Sequence, residues 1–337
     1  MFFLNKNIKI IKLFVKKNQK ETRIDKYLKK NIHNFSRNKI QKYIRSGKIL
    51  VNKHIIKKNY KIKPLDLIEL EIYMSSILDP LEYNNVVAEK MDINIIYEDE
   101  DIIVVNKPAG MVVHPGFGNE NGTLINGIKY HFLNSKFTKL YRLGLIHRLD
   151  KDTSGLLVLA KNEYSQKYLL KQFYSKTIIR KYIALVWGNL PKKKGIITGF
   201  IGRDPNNRKR MTIFNEVKNK AKYSITHYKV LERFKYLTYV SCNLKTGKTH
   251  QIRAHFKYLG HPLFCDFTYG GDKIFYRKKC SRKNIEFFNI CFKILQRQAL
   301  HAISLSFIHP KERKCNFLSP IPVDFEKVLE KCRTLLQ

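Results

Sequence analysis

The spacing of apolar and polar positions divides the chain into a short helical head and a longer, strand-rich body. In residues 22–32, Ile24, Tyr27 and Leu28 share one face at helical spacing, with Thr22 placed as N-cap. A second helix is predicted from Ser36. Ile40, Tyr43 and Ile44 fall on its apolar side, Arg37, Lys42 and Arg45 spread over the other, and Gly47 is placed as its stop. KILVNKHII (48–56) predicts a hairpin turning at Asn52-Lys53, and LIELEIY (67–73) alternates as a strand. Residues 75–90, with Pro80 and Asn84-Asn85, lose all periodicity and read as a linker. Beyond Met91, INIIYE, DIIVVNK, LLVLAK, KYIALVWG and YLTYVSCNL read as strands. Two helices interleave with them. One is capped by Asn162, with Tyr168, Leu169 and Phe173 inward. The other is capped by Thr249, with Ile252, Phe256 and Leu259 inward and Gly260 as its stop. This interleaving predicts an α+β fold around a mixed sheet.

Composition narrows the class. The chain has 337 residues, enough for about two domains. Its 44% apolar content supports a real core. No run approaches the ~18 uncharged apolar residues of a membrane span, and the start, MFFLNKNIKIIKLFVKK, interrupts its apolar residues with Lys and offers no secretory signal. The six cysteines, Cys242, Cys265, Cys280, Cys291, Cys315 and Cys332, form no C-x-x-C pair, so thiols in a reducing cytoplasm are expected rather than disulfides or thiolate zinc. Lys+Arg outnumber Asp+Glu by 65 to 27, a net charge of +38. Residues 1–80 are the denser part, with 20 basic residues against 6 acidic. Since 49 of the 65 are Lys, in a chain also rich in Asn and Ile, compositional drift explains part of this; the rest suits a polyanionic partner.

Four segments carry candidate chemistry. LGLIHRLDKDTSGLLVLAK (143–161) takes a strand-like approach to His147-Arg148-Leu149-Asp150, then a polar turn, then a buried strand. Asp150 is thereby set at a sheet rim between Arg148 and Lys151. Neighbouring cations favour a carboxylate, which can act as a nucleophile, while Asp150 and Asp152 also suit a purely turn-building role, the commoner one for such residues. LKTGKTHQIRAHFKYLGHPLFCD (244–266) leads into the Thr249 helix with Arg253 near its start, where a guanidinium can pair with a carboxylate from another strand. The spacings of His250, His255 and His261 do not put neighbours on one helical face, and no H-E-x-x-H occurs, so no metal site is expected. VVNKPAGMVVHPG (104–116) is a strand followed by a Pro/Gly loop that lacks the phosphate-loop pattern. In RKYIALVWG (180–188) the Tyr182 ring suits either base stacking or core filling.

The head, RIDKYLKK…SRNKIQKYIRSGKILVNKHIIKKNYKIKPLD, resembles the small S-four-type RNA-binding domain. The ordered set NKPAGMVVHPG, HRLDKDTSGLLVLAK, RKYIALVWG, GKTHQIRAH…GHPL and RQALHAISLSFIHP…PIP resembles the RluA/RluD-type pseudouridine synthases over nearly the full length. The likeness is nearest to the RluD type, which acts on large-subunit ribosomal RNA. It implies a mixed-sheet α+β catalytic domain behind a small N-terminal α/β head. The expected boundaries are an extension over 1–21, the head over 22–74, a linker over 75–90, the catalytic domain over 91–327 and a tail over 328–337.

The resemblance implies an isomerase that turns uridine into pseudouridine. Asp150 matches the catalytic aspartate, Arg253 its basic partner, Tyr182 the tyrosine against the base, and Arg148 the side chain that fills the gap left by the flipped nucleotide. His147, Lys107 and His250 are further candidates for substrate contact, and Arg37, Lys42 and Arg45 for RNA contact by the head. No cofactor and no metal are implied, since the reaction neither oxidises nor imports a group. RNA is the expected partner, with a monomer in the cytoplasm and no membrane. Two departures stand out: Lys248 where Arg is usual, and Cys265 where Gly often precedes Asp266. A non-catalytic RNA-binding assembly factor of the same fold and a synthase acting on tRNA are the alternatives.

Overall fold

Apolar faces at helical and alternating spacing build two separate cores in a computed structural model of the chain, which describes residues 8–32, 37–73, 86–116, 118–133, 140–217, 220–276 and 280–336. The chain divides into two compact units, Met1–Asn85 and Val86–Gln337.

In the first unit the elements are β1 (Ile8–Phe14), β2 (Thr22–Arg23), α1 (Ile24–Asn31), α2 (Arg37–Arg45), β3 (Ile49–Val51), β4 (His54–Ile55), β5 (Lys61–Ile62) and β6 (Leu67–Tyr73). Ile24 and Leu28 of α1 and Ile40, Tyr43 and Ile44 of α2 are buried against the strands, as their spacing predicts. The turn is at Asn52-Lys53, both residues with positive φ, as a two-residue hairpin requires. Gly47 has φ +69° and ends α2 with paired bonds, Gly47 N–H to Ile44 O and Lys48 N–H to Tyr43 O. Two expectations change. Thr22 does not cap α1, because it is spent in the β2–β5 pair opposite Ile62. Residues 8–14, expected within an N-terminal extension, form β1, paired with β6 along its whole length. The lysines between the apolar residues of β1 hid the strand. The Ser36 cap lies outside the described residues, as does the structure of 74–85.

The second unit is built on one mixed sheet. Its strands are β7 (Ile95–Glu98), β8 (Ile102–Lys107), β9 (Ser154–Ala160), β10 (Ile179–Trp187), β11 (Lys194–Arg203), β12 (Met211–Phe214), β13 (Lys222–Arg233), β14 (Leu237–Leu244), β15 (Leu300–Ile308) and β16 (Lys314–Leu318). They follow the order β12-β11-β13-β14-β10-β15-β9-β8-β7, with β16 beside β15. β15–β9 is the parallel contact, and the others are antiparallel. The helices are α3 (Leu124–His131), α4 (Glu163–Ser175), α5 (Gln251–Tyr258), α6 (Arg282–Ile294) and α7 (Val323–Leu335). Asn162 caps α4 through Ser165 N–H, as expected. Thr249 does not cap α5. His250 occupies that position with φ +53°, and Gln251 Oε1 accepts from Thr246 and from Lys248 N–H instead. Leu259, expected inward, is 39% exposed.

One core of this unit gathers Trp187, Phe264, Phe288 and Leu295 with Phe325, Val328, Leu329 and Cys332 of α7, so residues 328–336 are core structure rather than a tail. Residues 86–90, expected in the linker, are tied to α3: Lys129 Nζ donates to Val86 O and Asn126 Nδ2 to Val87 O. The six cysteines are free thiols. Among the described residues no helix is long and apolar enough to cross a membrane.

Candidate active site

The fold brings three of the four chemistry-bearing segments to one cavity of about 440 Å³, within the usual range for small-molecule sites. Its wall includes His147, Arg148 and Asp150 from the segment before β9, Arg180 and Tyr182 from β10, and Lys248, His250 and Arg253 at the start of α5. Arg180 and Tyr182 are two apart on one strand and so share a face.

Asp150 does not end a strand, as its segment was expected to. Residues 146–150 belong to no strand, and β9 begins only at Ser154. Asp150 keeps about a fifth of its side chain exposed, and its Oδ2 accepts from Arg253 Nη1 at 3.3 Å. His250 Nε2 is 3.9 Å from the same oxygen. Arg253 is buried and firmly aimed: its Nε and Nη2 donate to Asp266 Oδ2 and Oδ1 at 2.7 and 2.9 Å, a two-pronged pair. Burial works against its charge, but Asp266 and Asp150 outweigh it and hold the guanidinium protonated well above its ordinary range. Its face also lies over the Tyr269 ring, 5.1 Å from the centroid. Asp266 in turn accepts from Thr268 and Tyr269 N–H, both at 3.1 Å. Cys265, just before it, has φ +60°, so the left-handed position that suits glycine is kept here by a buried cysteine.

The turn carrying Asp150 is braced on both sides. Gln298 Nε2 donates to Thr153 Oγ1 at 3.1 Å, and Ser154 Oγ meets His301 Nδ1 at 2.9 Å. Arg297, fixed by Asp324 at 2.7 and 2.9 Å, reaches Asp152 O at 3.4 Å. Gly155 has φ +116°, and a Cβ there would lie 2.3 Å from Ala302 O; only glycine lets β9 approach β15 this closely. On the other side Lys107 Nζ donates to Pro108 O, Met111 O and Lys151 O at 2.7, 2.8 and 3.0 Å. Burial pushes its ammonium down to about 7, against the pull of Asp152 and Asp150.

The expected site residues separate accordingly. Asp150, Arg253, Tyr182, Arg148, His147 and His250 line the cavity, and Lys107 does not. With all three protons given to carbonyls and no exposed surface, Lys107 corrects from a substrate contact to a clamp joining the 108–111 loop to the Asp150 turn. Tyr182 is buried along its ring, and burial raises its hydroxyl pKa. Arg148 is exposed at the mouth, where Nη1 meets His114 Nε2 at 3.4 Å. His147 Nε2 accepts from Val158 N–H, and burial followed by the Arg180 charge pushes the ring down to about 3, so it is neutral. Burial also lowers His250, against the pull of Asp150.

In the head, Asp25 is buried and accepts from Arg23, Arg37 and Gln41, whose bonds overcome burial and lower its pKa. Arg37 therefore ties α1 to α2 through Asp25, where a free RNA contact was expected. Arg45 is exposed. The Lys42 side chain lies outside the described residues.

Sequence reasoning missed Asp266, Arg297 and Arg180 as functional groups. The available signal for Asp266 was an acid closing the apolar run GHPLFCD, which makes sense only if a buried cation meets it. Arg297 and Arg180 carried no local signal: the carboxylate that fixes Arg297 is Asp324, 27 residues on, and Arg180 stacks on Phe173 of the preceding helix, α4.

Comparison with known proteins identifies the family. Residues 101–258 match the family model described as RNA pseudouridylate synthase, and residues 22–68 match the S4 domain. An RNA pseudouridine synthase of Bacillus subtilis is 42% identical, covering 94% of this chain and 95% of its own. Ribosomal large subunit pseudouridine synthase D of Buchnera aphidicola from Acyrthosiphon pisum is 40% identical over 92% of this chain and 94% of its own. Among solved structures, human RNA pseudouridylate synthase domain containing 1 superposes with a TM-score of 0.52 at 26% identity, covering 68% of this chain and 84% of that one. With full-length relatives this similar, the chain belongs to the RNA pseudouridylate synthase family, whose members are isomerases acting on RNA.

Proposed function

We propose that this chain converts specific uridines of large-subunit ribosomal RNA to pseudouridine in the cytoplasm, with Asp150 as the catalytic residue. The observation that carries the reading is the Asp150 carboxylate facing a nucleotide-sized cavity, held 3.3 Å from an Arg253 that is itself locked by Asp266. The names of the relatives that act on the large ribosomal subunit support the choice of RNA.

The reaction breaks the bond from ribose C1′ to uracil N1 and forms one from C1′ to C5. The C5 proton leaves and N1 gains one, so atoms and electrons balance without oxidant or donor. Asp150 either attacks C1′ or assists departure of the base, and both routes need it ionised and aimed at the sugar. Arg253 serves that need. Tyr182 lies against the extruded base, and Arg148, at the cavity mouth, occupies the place the base left. Extrusion costs about a few kcal/mol, which these contacts offset. His147, neutral and with Nδ1 unpartnered among the described residues, offers the wall one donor.

Asp150→Asn keeps the shape and removes the charge. Expected is a loss of activity of at least about 1,000-fold with RNA binding retained. Carbodiimide–primer-extension maps of RNA from cells lacking the protein name the uridine. A map unchanged from that of normal cells, or an Asp150→Asn variant that turns over normally, sinks the assignment.

A further inference from the structure

Beside the catalytic groups, the cavity rim carries a feature that the isomerisation itself does not use. Arg180, Lys176 and Lys248 converge there, with Tyr174 at the edge. Among the described residues none of the three cations has an ion pair, although carboxylates hold other buried arginines of this unit. Lys248 feels the repulsion: after burial, the charges of Lys222, Lys176 and Arg180 each push its ammonium pKa down.

The Arg180 guanidinium is stacked 5.1 Å from the Phe173 ring centroid, and its buried Nε has no hydrogen-bond partner among the described residues. Room for it depends on Gly247, where a Cβ would come within 2.6 Å of Nη1. Unpaired, mutually repelling cations around prepared space are the signature of a site for an anion. Tyr174 adds a second, independent sign. It is 92% exposed on the last turn of α4, with no ring partner among the described residues. A free aromatic face beside unpaired cations matches the chemistry that holds single-stranded nucleic acid.

We propose that this rim is a subsite for the nucleotide flanking the extruded uridine, its phosphodiester held by Arg180, Lys176 and Lys248 and its base stacked on Tyr174. The subsite rests on the reading of the chain as an RNA pseudouridine synthase, and it assigns contact with the flanking nucleotide to residues outside the catalytic set. It is sequence-tolerant in kind, since every base has a π face, and favours bases that stack strongly.

The test uses the full chain and a transcript of the same organism's large-subunit rRNA carrying tritium at uracil C5, which is released as C5 joins the sugar. Tyr174→Ala is expected to raise KM about 5- to 150-fold with kcat within about twofold, and Tyr174→Phe to restore KM. Lys176→Gln and Arg180→Gln are each expected to flatten the slope of log(kcat/KM) against log[KCl] by about 0.7, one single-strand phosphate contact apiece. Lys176 is exposed, so its variant keeps the salt test valid if Arg180→Gln melts early. Wild-type turnover with KM unchanged in Tyr174→Ala, or with the salt slope unchanged in the cation variants, overturns the subsite alone. A wild-type enzyme that releases no tritium overturns the ribosomal-RNA reading, and the subsite with it.

Discussion

A buried ammonium is tolerable only when every proton has an acceptor, and Lys107 meets that condition with three carbonyls from two loops. Lys107→Met removes a donor those carbonyls share. We expect a loss of about 3–5 kcal/mol in urea unfolding, with a fall in kcat as the Asp150 turn loosens. A loss under about 1 kcal/mol would mean the clamp is ornamental. Two buried imidazoles give a pH signature. His255 meets Ser224 Oγ and His301 meets Ser154 Oγ, both at 2.9 Å, and burial pushes each ring down to about 4. The unfolded chain titrates near the ordinary 6.5, so between those values it binds more protons than the folded chain. Stability from these groups is therefore full above the unfolded value and falls as pH drops towards 4, by on the order of 3 kcal/mol per ring. Urea midpoints at pH 7 and pH 4 measure the loss, and His255→Asn should reduce proton uptake on unfolding by about one. An unchanged pH slope in that variant refutes a neutral His255.

At the scale of elements, α7 is where the sequence reading and the structure part most usefully. PVDFEKVLEKCRTL carries a plain helical stripe, Phe325, Val328, Leu329 and Cys332, yet the expected boundaries cut it, leaving residues from 328 on as a tail. The stripe is fully buried against the Trp187 core. Ending the chain at Pro322 uncovers it, and at about 1.5–3 kcal/mol for each large side chain the truncated protein should lose roughly 6 kcal/mol or become insoluble; thermal melts of the soluble fraction decide. An undiminished melting temperature would return these residues to the tail. The same physics explains what was legible. Buried strands such as IIVVNK and SGLLVLA announce themselves by unbroken apolar runs, and Asn162 by the helix it caps. β11 and β13, both long, were not seen because one face of each is polar or exposed, as Lys194, Ile196, His227 and Lys229 show. Thr249 looked like a cap because the bonds of Gln251 Oε1 with Thr246 and Lys248 N–H, which tie the helix start instead, leave no mark in the spacing of apolar positions. Asp150, Arg253 and Tyr182 could be named from their motifs. That Arg253 depends on Asp266 required the distance between them.

For the whole molecule the open question is whether +38 is function or drift. Drift would scatter lysines without regard to where anions go, and much of the surface fits that description. Two observations argue for function. The first 80 residues are denser in positive charge than the rest, and the S4 match falls there. Among the described residues the cavity rim also keeps three cations without carboxylates, although the unit places Asp266 and Asp324 carefully elsewhere. Charge that serves RNA binding acts by releasing counterions, which makes affinity fall linearly in log salt, while the chemical step in a recessed cavity covered by bound RNA is screened much less. The two can be separated on one substrate. With six to ten phosphates engaged, raising KCl from about 50 to 200 mM should weaken binding by about 10³–10⁵, with kcat nearly constant. If KM stays level over that range, the net charge does not serve binding and the lysines reflect composition. If kcat falls together with affinity, salt is reaching the Asp150–Arg253 pair and the cavity is more open to solvent than its geometry implies.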